Sequence, residues 1–173
     1  MNSKLNQLYE KLESQRLQLL EKVKLAPERF NVQPEDNRWS LHQVLAHLVT
    51  AEKLSVMYLD KKIQGIDEAG NTGIIEDMKM MVLKVSQRLP LKFTAPKKVV
   101  ASTPSYISLN ELIDDWNTTR QKLKTLLETV QDHQLKRKIF KHFVIGKLNI
   151  VHALEFLGEH IAHHLPQINR LLK

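Results

Sequence analysis

Ser40-Leu41-His42-Gln43-Val44-Leu45-Ala46-His47-Leu48 opens a helix and shows which way that helix faces. Ser40 is a residue that caps helix starts, and Gln43, three positions on, can reach back to its amide, the reciprocal pattern of a capping box. From there the apolar residues recur at helical spacing to about Gln64. Val44, His47, Ala51, Leu54 and Tyr58 form one stripe, and Leu41, Leu45, Leu48 and Leu59 form its neighbour. His47 is therefore turned at least partly inward. The stretch points to helices packed on helices, with a histidine among the core-facing residues.

The same periodicity extends outward in both directions. Leu5, Leu8, Leu12, Leu19 and Val23 predict a first helix over about 3–25, and Pro27 and Pro34 mark the loop that follows. Beyond Gly65, Gly70 and Gly73, the stretch Ile74 to Leu89 predicts a shorter helix. Residues 90–107, with Pro90, Pro96 and Pro104, read as a long connection with room for a local strand. Ser108-Leu109-Asn110-Glu111 is a second capping box, opening a helix to about Val130. A short helix is expected over Asp132 to Phe140, before Gly146, and Asn149 can cap a last helix that runs to the C-terminus. Four long helices with one long crossover between the second and third, the crossover carrying the shorter helix, give an all-α four-helix bundle. It is read as a single domain spanning residues 1–173.

Composition sets modest limits. The chain has 173 residues, 42% of them hydrophobic and 26% charged, which is ordinary for a globular protein. It contains no cysteine, which excludes a disulfide frame, a thiolate ligand and a cysteine nucleophile, and fits a reducing cytoplasm. The first residues are polar with spaced leucines and do not read as a signal peptide. No apolar run is long enough to span a bilayer, so no membrane partner is expected. The net charge is +7, but the lysines are spread along the chain, with short clusters at Lys97-Lys98 and Lys136-Arg137-Lys138. No DNA-binding motif or aromatic-interleaved RNA platform accompanies them, so no nucleic-acid partner is expected.

The last helix brings the chemistry. Its Glu159-His160-Ile161-Ala162-His163-His164 places His160 and His164 four apart, so both imidazoles leave one face, one above the other. That face also carries Ala153, Phe156, Leu157, Ile168 and Leu171. Two stacked imidazoles and a third from a facing helix, His47, make a three-histidine metal site with open coordination positions. The plain alternative is that His47 is a hydrogen-bonded core residue, and histidine pairs four apart arise by chance in a chain with eight histidines. His163 lies about 100° around the helix from His164 and should point elsewhere. His152, two turns before His160, could reach the site but is not counted among its ligands. His42, His133 and His142 read as surface or loop residues. In the third long helix, Arg120 interrupts a stripe of Leu109, Ile113, Trp116, Leu123, Leu127 and Val130. A guanidinium on a core face must be paired: Arg120 either anchors a carboxylate such as Glu52 or binds substrate.

Better-known metal and phosphate motifs are excluded. His160 and His164 have the spacing of a zincin helix, but Ile161 stands where the general-base glutamate belongs. There is no Glu-x-x-His pair for a carboxylate-bridged di-iron bundle, and no glycine-rich phosphate loop among the five glycines.

Arg38-Trp39-Ser40-Leu41-His42-Gln43-Val44-Leu45-Ala46-His47-Leu48 resembles the opening of the second helix in the DinB/YfiT-like superfamily. Phe140-Lys141-His142 followed by Gly146-Lys147-Leu148-Asn149 resembles that family's entry into its last helix, and His160-Ile161-Ala162-His163-His164-Leu165-Pro166-Gln167-Ile168 its His-x-x-x-His-x-x-Gln-Ile terminus. The likeness runs from about residue 5 to 172. It departs at His142-Phe143, where many relatives have His-Pro, and at Pro166, which is expected to kink the last helix.

The resemblance implies an up-down-down-up bundle with a metal site at one end of the core, its ligands His47, His160 and His164, with Glu52 and Gln167 behind them. It also implies thiol-dependent transferases and isomerases, or metal-dependent hydrolases. The first expectation is an enzyme whose divalent metal activates a small-molecule thiol; without a cysteine in the chain, the thiol comes from a cosubstrate. Arg120 or Lys97-Lys98 would receive an acidic cosubstrate. The second is hydrolysis by metal-bound water with Glu52 or Glu159 as proton acceptor, and the third a non-catalytic stress-response or binding protein. Zinc or nickel suits three imidazoles first, with iron, manganese or copper also accommodated. Relatives are often dimers, so a homodimer is among the expected partners.

Overall fold

Local capping decides where each helix begins. In the computed structural model, which describes residues 1–34, 38–89 and 97–173, α1 spans Ser3–Lys24 and starts on Asn2, whose Oδ1 accepts from the amides of Lys4 at 2.8 Å and Leu5 at 3.3 Å. α2 spans Leu41–Ile63 behind the expected capping box: Ser40 Oγ accepts from Gln43 N at 3.2 Å, and Gln43 Oε1 accepts from Ser40 N at 2.8 Å. α3, Ile74–Arg88, uses Glu76, whose Oε2 accepts from Gly73 N at 2.8 Å. These bonds satisfy amides that have no partner inside the first turn.

Two expectations about the crossover and the third long helix need correction. Lys97–Ser102 is a short helix, α4, where the connection had left room for a strand; residues 90–96 lie outside the described residues. α5, Leu109–Thr129, begins on Ser108, whose Oγ accepts from Glu111 N at 3.2 Å. The return bond is displaced by one residue, because Glu111 Oε2 takes Ile107 N at 2.7 Å rather than Ser108 N.

Asp132 to Phe140 also differs from the short helix expected there. Only Asp132–Gln134 makes a 3₁₀ turn. The chain then forms an antiparallel hairpin, β1 (Phe140–His142) with β2 (Gly146–Leu148), pairing Phe140 with Leu148 and His142 with Gly146. Gly146 sits at φ +84°, a region other residues avoid. Three residues per strand are too few for a legible alternation, yet Phe140 and His142 turn inward and Lys141 outward, as the pleat requires.

α6, Ile150–Leu171, follows at once, capped by Asn149 Oδ1 on His152 N at 2.9 Å. It runs through Pro166 without interruption to Leu171, so the proline does not end the helix. Ile150, Val151, Ala153, Leu154, Leu157, Ile161 and Ile168 are all buried, which is why α6 is the element on which α1, α2 and α3 all pack. α2 in turn packs on α5 and α4. The buried side chains form one connected cluster that includes Leu5, Leu12 and Leu19 of α1, Leu45 and Leu59 of α2, and Trp116 and Leu123 of α5. Each fully buried leucine contributes about 1.5–3 kcal/mol relative to exposure. No helix among the described residues is long and apolar enough to cross a membrane.

Candidate metal centre

Packing of α2 against α6 closes the distance that spacing alone left open. His47 is 6% exposed, and its Nε2 lies 3.1 Å from Nε2 of His160. The ring centroids of His47, His160 and His164 are 5.0–5.1 Å apart. One ligand nitrogen from each of the three falls within 4.8 Å of the others. Three imidazole nitrogens gathered this closely are the donor set that would hold a divalent ion between α2 and α6.

The donor chemistry fits as well. Burial, and after it the neighbouring His163, pushes the His47 imidazole down to about 4. Burial likewise takes His164 to about 4 against the opposing hydrogen bond of Gln167. His160 is held well below the ordinary histidine range by burial first, then by His164 and His47. All three rings are thus neutral at pH 7 and offer lone pairs rather than charges. Gln167 Oε1 lies 3.1 Å from Nδ1 of His164 and accepts its proton, which leaves Nε2 as the lone-pair nitrogen. Nδ1 of His47 is buried with no protein partner. A buried ring nitrogen without a partner costs free energy, and three neutral imidazoles converging on one point are a donor set that would hold a divalent cation.

The surroundings contain residues that spacing did not single out. Trp39, from the loop before α2, sets its ring 5.2 Å from that of His47. Phe156 stacks on His160 with centroids 5.5 Å apart and planes 13° from parallel. His142, expected at the surface, is instead 8% exposed, because the hairpin folds it onto Phe156 at 4.6 Å. Its Nδ1 accepts from the amides of Val144 at 3.2 Å and Ile145 at 3.4 Å, and burial pushes the ring down to about 4. His42 is half-buried, its ring 4.8 Å from Phe30 and its Nε2 accepting from Tyr106 N at 3.1 Å. His133 is exposed. A cavity of about 350 Å³ opens beside His47, bounded by Trp39, His42, Gln43, Val100 and Pro104 among others.

Several other candidates sit elsewhere. His163 turns to α3, its Nδ1 2.7 Å from the carbonyl of Gln87, and His152 pairs through Nε2 with Asp77 at 3.0 Å. Glu52 hydrogen-bonds none of the three histidines. Its carboxylate takes Arg120 Nη2 at 2.9 Å, Arg120 Nε, and the indole N–H of Trp116 at 2.9 Å. Arg120 also reaches Glu13 at 3.2 Å, and Glu13 pairs with Arg16. Arg120 and Glu52 are each 2% exposed, so this guanidinium clamps α1, α2 and α5 together and has no open approach for a ligand. Glu159 is engaged by Arg88 through two bonds, at 2.7 and 3.0 Å. The side chains of Lys97 and Lys98 lie outside what the structure describes.

A family profile described as the DinB superfamily matches residues 9–168. The chain is also similar to an uncharacterized protein, YuaE, of Bacillus subtilis strain 168. The two are 22% identical over 147 residues, covering 85% of each chain. No solved structure gives a significant match.

Proposed function

The chain belongs to the DinB superfamily, and on that premise we propose that it is a divalent-metal enzyme that transfers a small-molecule thiol to a second substrate. The observation that carries this reading is the convergence of three neutral imidazoles, the buried His47 and the half-buried His160 and His164, within 4.8 Å, beside a cavity of about 350 Å³. A divalent ion on such a donor set supplies Lewis acidity that lowers the pKa of a thiol or water entering an open position.

The chain's own residues favour the thiol over water. Hydrolysis needs a proton acceptor beside the reacting water. The carboxylates considered for that role, Glu52 and Glu159, are tied to Arg120 and Arg88. A thiol, being far more acidic than water, needs no such base. Trp39 and His47 line the cavity that would receive the substrate, and Gln167 orients the His164 ring. Zinc or nickel is the ion this neutral nitrogen set suits best.

The test is elemental analysis of protein purified without a metal-affinity column, followed by conjugation assays with a panel of acidic and neutral small thiols. One metal ion per chain and metal-dependent thiol consumption are expected. Stoichiometric metal with ester or amide turnover in the absence of any thiol would replace transfer by hydrolysis. Metal without turnover of either kind would leave a binding protein.

A further inference from the structure

His42 lines the same cavity as His47 and has no part in the cluster of three histidines. It stands five residues earlier on α2, about 7.5 Å along the helix axis. Phe30 packs on its ring with centroids 4.8 Å apart, the Tyr106 ring lies 6.2 Å away, and the Tyr106 amide donates to its Nε2 at 3.1 Å. Tyr106 is itself fixed. Its hydroxyl donates to Asp115 at 2.7 Å, and Lys53 pairs with the same carboxylate at 2.8 Å. A backbone amide can only donate, so Nε2 of His42 must carry the lone pair. Burial lowers the pKa of the ring, which keeps it neutral at pH 7 and leaves its single proton on Nδ1. None of the described residues accepts from that Nδ1–H.

The rest of the boundary says what this donor would meet. Trp39, Ala46, Val100 and Pro104 offer apolar surface. Thr103 turns its hydroxyl away, donating to the Val99 carbonyl at 2.8 Å. None of the described residues bounding the cavity is an aspartate, glutamate, lysine or arginine, in a chain 26% charged. A charged group moved into such surroundings loses hydration with no opposite charge to replace it, whereas a carbonyl oxygen is satisfied by one donor. We infer that the cavity binds a small, mostly apolar molecule through an uncharged carbonyl oxygen, to which His42 Nδ1–H donates. The inference rests on the reading that this cavity receives the second substrate of the metal centre, and it names that substrate's class. A molecule held at His42 extends along the helix to the three histidines, so His42 acts as a positioning residue. Its ring is locked before the ligand arrives, so little freedom is lost on binding.

Three probes of one shape, titrated into the full chain carrying isotope-labelled histidine and followed by NMR, provide the test. Acetophenone has the carbonyl oxygen, α-methylstyrene has a methylene in its place, and benzoate has a charge. The first two are compared on protein as purified, and all three after metal removal, so that benzoate cannot coordinate a metal. Acetophenone is expected to bind about 10-fold more tightly than either, the effect of one hydrogen bond, and to move the His42 Nδ1 signal. Before any probe is added, the spectra should place the His42 proton on Nδ1. His42→Phe keeps a ring between Phe30 and Tyr106 and is expected to lose the preference over α-methylstyrene, with bound metal per chain unchanged. His42→Gln can still accept from the Tyr106 amide but lacks Nδ1–H, and it should lose the preference too, which settles the matter where the first variant fails to fold. A proton on Nε2, or acetophenone bound no better than α-methylstyrene or benzoate, overturns the proposal. So does a preference that survives in either variant that folds. Thiol consumption enters none of these readouts, so failure of the proposed reaction and failure of this site are separate results.

Discussion

Nε2 of His47 on α2 stands 3.1 Å from Nε2 of His160 on α6, although 113 residues separate them in the chain. The two ring nitrogens meet at hydrogen-bond distance, with His164 beside them. That contact joins the bundle's packing to its chemistry, because the helices that form the core also hold the donors. A cation between the rings is expected to tie α2 to α6, so metal should raise the melting temperature as well as occupy the site.

Removing one ring tests this directly. His160→Ala is expected to abolish stoichiometric metal and with it the metal-induced rise in melting temperature. Elemental analysis and thermal unfolding with and without zinc or nickel check both. Unchanged metal content in the variant would show that the three histidines are not the site.

Gln167 offers a gentler probe. It touches His164 through Nδ1 and lies outside the donor set. Gln167→Leu is expected to weaken metal affinity by about 10–100-fold, the usual cost of losing the group that orients a histidine ligand. The metal-free melting temperature should change little. Competition titration with a coloured chelator measures the affinity, and an unaltered value would remove Gln167 from the account.

Acidification acts through the buried rings. The histidines at 47, 142 and 164 are held at about 4 when folded, against about 6.5 when unfolded. Between those values the unfolded chain binds more protons than the folded one, so stability rises with pH across the window and is lost as pH falls from 6.5 toward 4. Each ring contributes up to about 1.4 kcal/mol per pH unit there. Urea unfolding of metal-free protein at pH 7 and pH 5 should show a clear drop; a flat profile would mean that the rings are not held neutral by burial.

Arg120 and Glu52 form a buried pair whose halves cannot be removed separately without cost. Arg120→Met leaves the Glu52 carboxylate uncompensated and is expected to destabilise the fold by about 3–5 kcal/mol. Adding Glu52→Leu to Arg120→Met should recover much of that loss, because two apolar side chains then meet. Metal content should stay at wild-type level in any variant that folds. Denaturant unfolding of the single and double variants decides the point, and a double variant no more stable than the single one would count against it.

The fold and the histidines were legible to different depths. Helix starts at Ser40, Ser108 and Asn149 could be read because caps are local, made by residues three apart. The hairpin over Phe140–Leu148 could not, since its strands are too short for a period-two pattern and its burial depends on α2 and α6. His142 was misplaced for the same reason. Arg120 was recognisable as a charge needing a partner, but two readings stayed open until α1 and α2 delivered Glu13 and Glu52 to it.

By itself the sequence determined that His160 and His164 share a helix face and that His47 turns inward, because the turn of an α-helix makes side-chain direction a function of residue number. Tertiary structure alone decided that these three rings meet, that Glu159 and Glu52 are engaged elsewhere, and that Tyr106 holds the His42 ring. Distances between helices follow from how their side chains pack, and no spacing along one chain segment encodes them.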